Sequence, residues 1–308
     1  MVDGSPAHIG IDIGGTNLRG ALVSADGTIL NRFRSESAIA AGATAFLDRL
    51  ERHIRATLAA ATGEGLRVAG IGVGVPGLID RNGTVRSSVN MQPLDGVNLA
   101  VSLEERVGVP VRCGNDANLI ALGEARTGAG RGLNSLAVVT IGTGLGSGLI
   151  LDGRLWTGSG GYASEFGHLT LEPEGLPCPC GNRGCLEQYV SASALSRYGN
   201  GRQPEELARA AGRGEREALA AFERIGVCLG TGLAGLLNLL NLDGIVIGGG
   251  VAASFDLMAP AIRRTLAART FPRIAAGVKV RRSRLGDDAG LLGGAMLVAE
   301  QLAEQGQS

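Results

Sequence analysis

The sequence predicts an α/β protein with two domains, and three observations lead to this class. Short apolar runs typical of buried strands alternate with amphipathic runs typical of helices. An apolar strand that ends in a glycine turn and is followed by a returning strand occurs twice, at 12–16 and 140–144, which predicts two related halves facing each other across a cleft. The chain has 308 residues, and at about 150 residues per domain this length fits two domains.

The elements of the first half follow from apolar spacing and turn residues. The turn sequence Ala-Asp-Gly at 25–27 joins two strands at 18–24 and 28–35, as in a hairpin. In the helix at 43–61, apolar residues recur every four positions, which predicts one buried face. The other predicted elements are strands at 8–13, 67–75 and 109–113 and helices at 98–107 and 115–127.

The second half repeats this order around an irregular segment at 158–185 that is rich in glycine, proline and cysteine. The predicted strands lie at 136–141, 145–151, 244–247 and 278–282, and the predicted helices at 204–212, 215–241, 255–269 and 289–302. The apolar stretch at 233–247 is interrupted by Asn238, Asn241 and Asp243, which makes it a poor membrane span. We therefore expect no membrane partner.

The composition excludes several classes of protein. Lys279 is the only lysine among 29 basic residues and lies outside any G-K-[ST] motif, which excludes P-loop NTPases. The absence of H-R-D and D-F-G motifs excludes protein kinases. A formal net charge of +0 favours no nucleic-acid partner. The 51 glycines show no Gly-X-Y period, so they must lie in tight turns and at close backbone approaches.

The first residues and the cysteines predict a cytoplasmic location. Residues 1–8 have neither the basic nor the apolar region of a signal peptide. The five cysteines are odd in number, and three of them lie within eight positions, unlike a disulfide framework.

The first candidate phosphate site is the sequence D-I-G-G-T at 12–16. Because Gly14 and Gly15 carry no side chain, their N–H groups and the Thr16 hydroxyl can approach phosphate oxygens. Asp12, at the end of the strand, can hold Mg²⁺ through water. A plain hairpin turn explains this segment equally well when it stands alone.

Two further glycine turns follow buried strands. In T-I-G-T-G-L-G at 140–146, Thr143 and Gly144 repeat the first turn, and two such loops from opposite halves can clamp one polyphosphate without a P-loop lysine. In G-G-G-V at 248–251, Gly249 and Gly250 leave bare backbone for a base or ribose. The alternative for this third segment is a simple turn between a strand and a helix.

Asn115 and Asp116 lie where a predicted strand gives way to a helix. The plain interpretation of such residues is an ordinary N-cap. An aspartate at a strand end that faces the phosphate turns can also accept the proton of a substrate hydroxyl, as phosphoryl transfer requires.

The sequence C-P-C-G-N-R-G-C at 178–185 is the most specific metal signal. Cys178, Cys180 and Cys185 offer three thiolates, and His168 lies ten residues upstream of the first. This ligand set suits tetrahedral Zn²⁺, and four protein ligands leave no open position, so the zinc is expected to be structural. The alternative, a disulfide with one free thiol, is disfavoured in a reducing compartment.

Two glutamates flank this segment. Glu165 and Glu187 can accept hydrogen bonds from neighbouring hydroxyls of a sugar, or they are solvent-exposed charges. A His168 ring that binds metal through one nitrogen leaves the other nitrogen for a ligand.

Together these segments resemble the ROK family, which includes bacterial sugar kinases and sugar-responsive repressors. The matching segments are D-I-G-G-T at 12–16, N-D-A-N at 115–118, T-I-G-T-G at 140–144, E-F-G-H at 165–168, C-P-C-G-N-R-G-C-L-E at 178–187 and G-G-G-V at 248–251. They cover essentially the whole chain in the order typical of the family. The cysteine motif with the upstream E-x-G-H is highly specific, whereas the glycine turns alone are not.

The resemblance implies the actin-like ATPase fold of the hexokinase type, with a ribonuclease-H-like core in each of two domains around a central cleft. The small α/β domain would hold residues 1–116 and 290–308, and the large α/β domain with the zinc loop residues 117–289. It also implies a homodimer, because the family is often dimeric.

The resemblance further implies a role for each site residue. Asp116 matches the catalytic base for the sugar hydroxyl, usually O6, and Asp12 matches the Mg²⁺-associated aspartate. The implied sugar contacts are Gly77, Asn90, Asn115, Asp116, Glu165, His168 and Glu187. The implied ATP contacts are Asp12, Gly14, Gly15, Thr16, Thr143, Gly144, Gly249 and Gly250, and the structural zinc ligands are His168, Cys178, Cys180 and Cys185.

The implied activity is the ATP-dependent phosphorylation of a hexose, glucose to glucose 6-phosphate. Glucokinases of the family often carry a tryptophan after the sugar-binding asparagine, but Val97 stands at that place after Asn90. N-acetylmannosamine, N-acetylglucosamine, allose, mannose and fructose therefore stay as alternatives, as does polyphosphate as the donor. A ROK repressor would need a DNA-binding domain ahead of the first strand, where about seven residues stand. An actin-like filament protein would not need the zinc loop.

Overall fold

The computed structural model describes residues 4–88 and 90–306. The strands are β1 (Ser5–Ile13), β2 (Asn17–Ser24), β3 (Ile29–Glu36), β4 (Leu66–Val75), β5 (Leu78–Ile79), β6 (Val85–Ser87), β7 (Val111–Asn115), β8 (Leu136–Ile141), β9 (Leu145–Leu151), β10 (Arg154–Trp156), β11 (Gly244–Gly248) and β12 (Lys279–Arg282). The helices are α1 (Ala43–Gly63), α2 (Leu99–Val107), α3 (Asp116–Arg126), α4 (Ala192–Tyr198), α5 (Pro204–Gly212), α6 (Arg216–Leu240), α7 (Phe255–Arg269), α8 (Pro272–Gly277) and α9 (Asp288–Gln305).

The chain divides into two compact units. Unit 1 runs to residue 131 and also contains residues 155–163 and the segment from residue 287 onward, and unit 2 holds residues 132–154 and 164–286. The family resemblance implies a boundary at residue 116, whereas unit 1 continues through α3. The reason is that α3 packs along α9 and also contacts β4 and β7.

The described residues form two five-stranded sheets that have the same strand order. In unit 1 the order is β3-β2-β1-β4-β7, with β1, β4 and β7 parallel and β2 antiparallel to both of its neighbours. The second sheet has the order β10-β9-β8-β11-β12, with β8, β11 and β12 parallel and β9 antiparallel to β8. The sheets therefore share the internal repeat that the two glycine turns predict.

Helix α1 covers the core of unit 1 with the face that its spacing predicts. Phe46, Leu50 and Ile54 are fully buried and pack with the apolar residues of β1 and β4. The burial of such side chains is the main stabilising contribution of an amphipathic helix.

Helix α9 packs so closely on the sheet of unit 1 that backbone atoms of the helix contact backbone atoms of the strands. A side chain at Gly10 of β1 would place its Cβ 1.7 Å from the Leu291 carbonyl oxygen, and one at Gly72 of β4 would meet a carbonyl oxygen of the same helix at 1.8 Å. On its other side, a Cβ at Gly293 would lie 1.7 Å from the Leu119 carbonyl oxygen of α3. Glycine at these positions is therefore required by close approach, which accounts for part of the glycine excess.

Helix α6 is long and apolar enough to cross a membrane, with a mean hydropathy of 1.4 over its most apolar stretch. Phe222, Leu229 and Leu237 on this helix are nevertheless fully buried in the core of unit 2. They lie on a helix that packs against α4, α5 and α7. Burial of this kind is typical of a core helix.

We predict that Gly293→Ala destabilises the protein while Gly235→Ala does not. Both glycines lie inside helices, but a Cβ at Gly235 of α6 would meet no atom within 4 Å. Overpacking at Gly293 should lower the free energy of unfolding by about 2–3 kcal/mol. Relief of glycine entropy at Gly235 should raise it by about 0.5–1 kcal/mol. Urea denaturation measures the free energy of unfolding of both variants. Equal effects of the two substitutions would contradict the close backbone contact between Gly293 of α9 and Leu119 of α3.

Candidate functional site

Three strand ends meet at one edge of the sheet in unit 1. Since β1, β4 and β7 are parallel, their carboxyl ends lie on the same side, where Asp12 pairs with Gly74 and Val75 pairs with Asn115. Asp116 follows as the first residue of α3. Open α/β sheets bind ligands outside the carboxyl ends of their strands. The fold thus places Asp12, Asn115 and Asp116 where such a site is expected.

Asp12 lies in an environment that disfavours its charge. Burial raises the pKa of the Asp12 carboxyl to about 6, the carboxylates of Asp116 and Asp287 act in the same direction, and Arg19 opposes them. Arg19 forms an ion pair of 3.0 Å with Asp287. At Gly290 of α9, a Cβ would lie 3.3 Å from the carboxyl carbon of Asp12, so the helix backbone forms one wall of this environment. A cation bound beside Asp12 would relieve the unfavourable charge.

Asp116 begins helix α3 and is half-buried. Its Oδ1 accepts the N–H of Ala117 at 2.8 Å. The N-terminal end of a helix carries partial positive charge, so the position suits a carboxylate.

The turn between β1 and β2 presents backbone donors. Gly14 donates its N–H to the Asn17 carbonyl at 2.7 Å. Ser37 donates two hydrogen bonds to carbonyl oxygens of the turn. Its hydroxyl donates to Gly15 at 2.6 Å, and its N–H donates to Thr16 at 2.9 Å. The N–H groups of Gly15 and Thr16 have no hydrogen-bond partner in the described part of the chain. Such donors are what an anion-binding turn requires.

Asn115 is held by both ends of its amide. Its Oδ1 accepts the N–H of Asn118 at 3.2 Å, so the N-cap interpretation is confirmed, and its Nδ2 donates to the carbonyl of Gly77 at 3.1 Å. Asn90 is exposed, and a Cβ on Gly15 would lie 3.4 Å from the Asn90 Cβ. The structure therefore brings Gly77 to Asn115 and Asn90 to the glycine turn.

In unit 2, the turn between β8 and β9 also presents backbone donors. Gly142 donates to the carbonyl of Gly144 at 2.9 Å and accepts the N–H of Ala192 at 2.8 Å. The N–H groups of Thr143 and Gly144 have no partner among the residues that the structure describes. The two predicted phosphate turns thus share a local feature, although they lie in different units.

The third glycine turn packs against the end of β8. Gly249 has φ 85°, and a Cβ there would lie 2.4 Å from the Ile141 carbonyl oxygen. Both the positive φ and the close approach require glycine at this position. Gly250 begins a short 3-10 turn, Gly250–Ser254, that leads into α7.

The four predicted zinc ligands come together in unit 2. The Sγ of Cys178 lies 3.7 Å from the Nδ1 of His168, and the Sγ atoms of Cys180 and Cys185 are 3.6 Å apart. All four donor atoms lie within 4.8 Å of one another. Two sulfurs bound tetrahedrally at about 2.3 Å from zinc would be separated by about 3.8 Å. The donor set and its spacing therefore fit zinc.

Two side chains that the sequence did not single out donate to these sulfurs. Asn182 Nδ2 lies 3.4 Å from the Cys185 Sγ, and Gln188 Nε2 lies 3.7 Å from the Cys178 Sγ. Donors of this kind stabilise the charge of metal-bound thiolates.

The two flanking glutamates have different surroundings. Glu165 Oε2 lies 3.8 Å from the Nε2 of His168. Desolvation raises the pKa of Glu165, with His168 acting against this shift and Glu187 adding to it. Glu187 Oε2 accepts the N–H of Leu145 at 2.9 Å, so it is tied to the glycine turn rather than being only a solvent-exposed charge.

Ser147 and Ser164 form a contact that no sequence pattern signals. Ser164 has φ 75°, a left-handed conformation that a serine rarely adopts, and it directly precedes Glu165. The Ser147 hydroxyl donates to the carbonyl of Ser164, and the two hydroxyl oxygens are 2.7 Å apart. These bonds hold the strained backbone that leads into the E-F-G-H segment.

The chain is similar to known proteins over nearly its whole length. Residues 8–301 match the model of the ROK family. A glucokinase from Thermotoga maritima is 35% identical over 314 residues, which cover 96% of this chain and 98% of that protein. A crystal structure of a ROK family glucokinase from Streptomyces griseus, in complex with glucose and AMPPNP, superposes with a TM-score of 0.77 at 34% identity, covering 94% of this chain and 98% of that one. A xylose repressor from Bacillus spizizenii is 30% identical over 96% of this chain and 78% of its own length.

The fold is the actin-like ATPase fold of ATP-dependent sugar kinases. The chain belongs to the ROK family.

We predict that Asp12→Asn stabilises the protein in the absence of Mg²⁺ and nucleotide. The folded protein holds the Asp12 proton more tightly than the unfolded chain does, because the pKa rises from 3.8 to about 6 on folding. The protonated Asp12 carboxyl therefore contributes to the free energy of unfolding at low pH, and this contribution is lost as the pH rises through about 6. At pH 8 the substitution should raise the free energy of unfolding by roughly 1–3 kcal/mol, with little difference near pH 4.

The control is Asp26→Asn in the β2–β3 turn. Hydrogen bonds from the Ser24 hydroxyl and from Thr28 lower the pKa of Asp26, so this substitution should destabilise at pH 8. Urea denaturation across this pH range measures both. If Asp12→Asn lowered the free energy of unfolding at pH 8, the conclusion that the surroundings of Asp12 disfavour its charge would be wrong.

Proposed function

We propose that this protein transfers the γ-phosphoryl group of ATP to O6 of a hexose, and that the hexose is glucose. The observation that carries the proposal is the position of Asp116, at the start of α3 and at the same sheet edge as Asp12. The likeness to glucokinases from Thermotoga maritima and Streptomyces griseus supports glucose as the substrate.

ATP is bound by the glycine turns. Among the described residues, the N–H groups of Gly15, Thr16, Thr143 and Gly144 have no hydrogen-bond partner, which supports this role because backbone donors can bind phosphate oxygens without a lysine. Gly14 shapes the first of these turns. The bare backbone at Gly249 and Gly250 lies beside the adenosine.

Asp116 acts as the general base. Its carboxylate accepts the proton of the sugar O6 hydroxyl as that oxygen forms a bond to the γ-phosphorus. The bond between the γ-phosphorus and the bridging oxygen breaks, and ADP leaves with the electron pair. Positioning and charge neutralisation supply most of the catalysis in such a transfer.

Asp12 holds Mg²⁺. The raised pKa of its carboxyl supports this role, because a carboxylate whose charge is unfavourable in the free protein gains from a cation. When bound, Mg²⁺ neutralises charge that develops on the phosphate oxygens.

The proposed hexose contacts are those that the family resemblance implies. In unit 1 these are Gly77, Asn90, Asn115 and Asp116, and the bond between Asn115 and Gly77 supports a shared role. In unit 2 they are Glu165, His168 and Glu187. Because Val97 stands where related glucokinases often have tryptophan, an N-acetylhexosamine or another hexose is the alternative substrate.

We further propose that His168, Cys178, Cys180 and Cys185 bind one structural zinc ion. Four protein donors close the coordination sphere, so the metal orders the loop and the His168 ring instead of activating water. We also propose a homodimer in the cytoplasm, without membrane or nucleic-acid partners.

A second candidate function is sugar-dependent repression of transcription. The likeness to the xylose repressor of Bacillus spizizenii favours it. Sequence-specific DNA binding that is released by a sugar would establish this function, and kinase turnover without DNA binding would exclude it.

We predict that Asp116→Asn lowers kcat roughly 10²–10⁴-fold, the usual contribution of a general base. Glucose binding should persist, since the amide keeps the shape of the side chain. Coupled ADP release and calorimetry measure the two quantities. Asp256→Asn, in the first turn of α7 and exposed, is the matched control and should retain activity. Turnover of Asp116→Asn within a few-fold of wild type would refute the assignment of the base.

We predict one equivalent of zinc per chain. Cys180→Ser should lose most of the metal and lower thermal stability, because metal binding and loop ordering are linked. Cys228→Ser is the control, as that thiol lies on α6 outside the cluster. Metal analysis of the purified protein measures the content, and a zinc-free, fully active wild type would contradict the proposal.

A further inference from the structure

Three segments of the candidate site meet at the backbone of Leu145 in unit 2. Leu145 is the first residue of β9 and follows the glycine turn. Its N–H donates to Glu187 Oε2 at 2.9 Å, and Glu187 leaves the cysteine loop. Its carbonyl oxygen lies against the E-F-G-H segment, where a Cβ on Gly167 would approach it to 2.4 Å. The two segments that carry Glu187 and the E-F-G-H sequence therefore both contact the backbone of the residue that follows the glycine turn.

Glu187 lies directly against the turn. A Cβ on Gly144 would be 2.5 Å from the Glu187 Oε2 atom. At the other end of the turn, the carbonyl of Gly142 accepts the N–H of Ala192 at 2.8 Å. Both ends of the turn are therefore held by the segment 187–192, which follows the cysteine cluster.

The second carboxylate oxygen is available to a ligand. Within the described residues, Glu187 Oε1 has no hydrogen-bond partner, whereas Oε2 is occupied by Leu145. A carboxylate can accept bonds at both oxygens. One side chain can therefore contact a sugar hydroxyl and the phosphate turn at the same time.

We propose that Glu187 is a positioning residue for the phosphate turn, through its bond to the Leu145 N–H. This inference rests on the proposed function. The bond fixes the end of a turn in which the N–H groups of Thr143 and Gly144 have no partner in the part of the chain that the structure describes. A turn ordered before the nucleotide arrives loses less entropy on binding, and its donors need not reorganise during the transfer. Glu187 thereby acts on ATP as well as on the sugar.

The test measures nucleotide affinity in the absence of sugar. The Kd of a non-hydrolysable ATP analogue with Mg²⁺ is determined by calorimetry for wild type, Glu187→Ala, Glu187→Gln and Glu187→Asp. Glutamine keeps an oxygen that can accept the Leu145 N–H, aspartate keeps the charge with a shorter reach, and alanine keeps neither. Glu174→Ala, an exposed carboxylate ahead of the cysteine loop, is the matched control.

We expect Glu187→Ala and Glu187→Asp to weaken nucleotide binding about tenfold, which lies at the upper end of the range for a typical hydrogen bond. Glu187→Gln should stay within about threefold of wild type, since the bond is kept. Unchanged nucleotide affinity in Glu187→Ala, with only sugar affinity reduced, would overturn the proposal. Equal losses in the alanine and glutamine variants would also overturn it, because charge rather than the bond would then be responsible.

Two readouts separate this inference from other failures. Zinc content and the thermal midpoint report whether each variant keeps the fold, and the nearly isosteric glutamine variant supports the comparison if alanine unfolds the loop. A wild-type protein that binds no nucleotide would contradict the proposed function itself, whereas normal wild-type binding with no effect of Glu187→Ala contradicts only the role of Glu187.

Discussion

The site in unit 1 depends on the backbone contact between helix α9 and the sheet. Glycines at 10, 72 and 293 let α9 approach β1, β4 and α3 without intervening side chains. Because of this packing, α3 lies directly against α9, and the backbone of α9 lies beside the Asp12 carboxyl. A larger residue at any of these positions would push the helix away and change the spacing of Asp12 and Asp116. The glycine content is thus a condition for the geometry of the acidic residues.

In unit 2, short backbone links take the place of helix packing. The cysteine loop, the E-F-G-H segment and the glycine turn are separate segments of the sequence, but they converge on Leu145. A metal ion that orders the cysteine loop would therefore also restrain the turn through Glu187. Binding of a sugar and binding of a nucleotide would then both depend on the ordered backbone at Leu145.

Much of the fold could be predicted from the sequence, because apolar periodicity and glycine turns are local signals. The Cys₃His cluster was also predictable, since its ligand spacing is specific. The extension of unit 1 through α3 was not, because glycines inside α9 lower helix propensity and do not signal backbone packing. The bond from Leu145 to Glu187 and the contact of Ser147 with Ser164 join distant segments and leave no periodic pattern.

The most direct test of the account is a comparison of kcat/KM for coupled ADP release across glucose, mannose, fructose, allose, N-acetylmannosamine and N-acetylglucosamine, with ATP and Mg²⁺. We expect turnover that is highest for glucose and that requires Asp116. Efficient turnover of an N-acetylhexosamine with little on glucose would move the substrate to that class. No ADP release with any of these sugars would contradict the assignment as a hexose kinase.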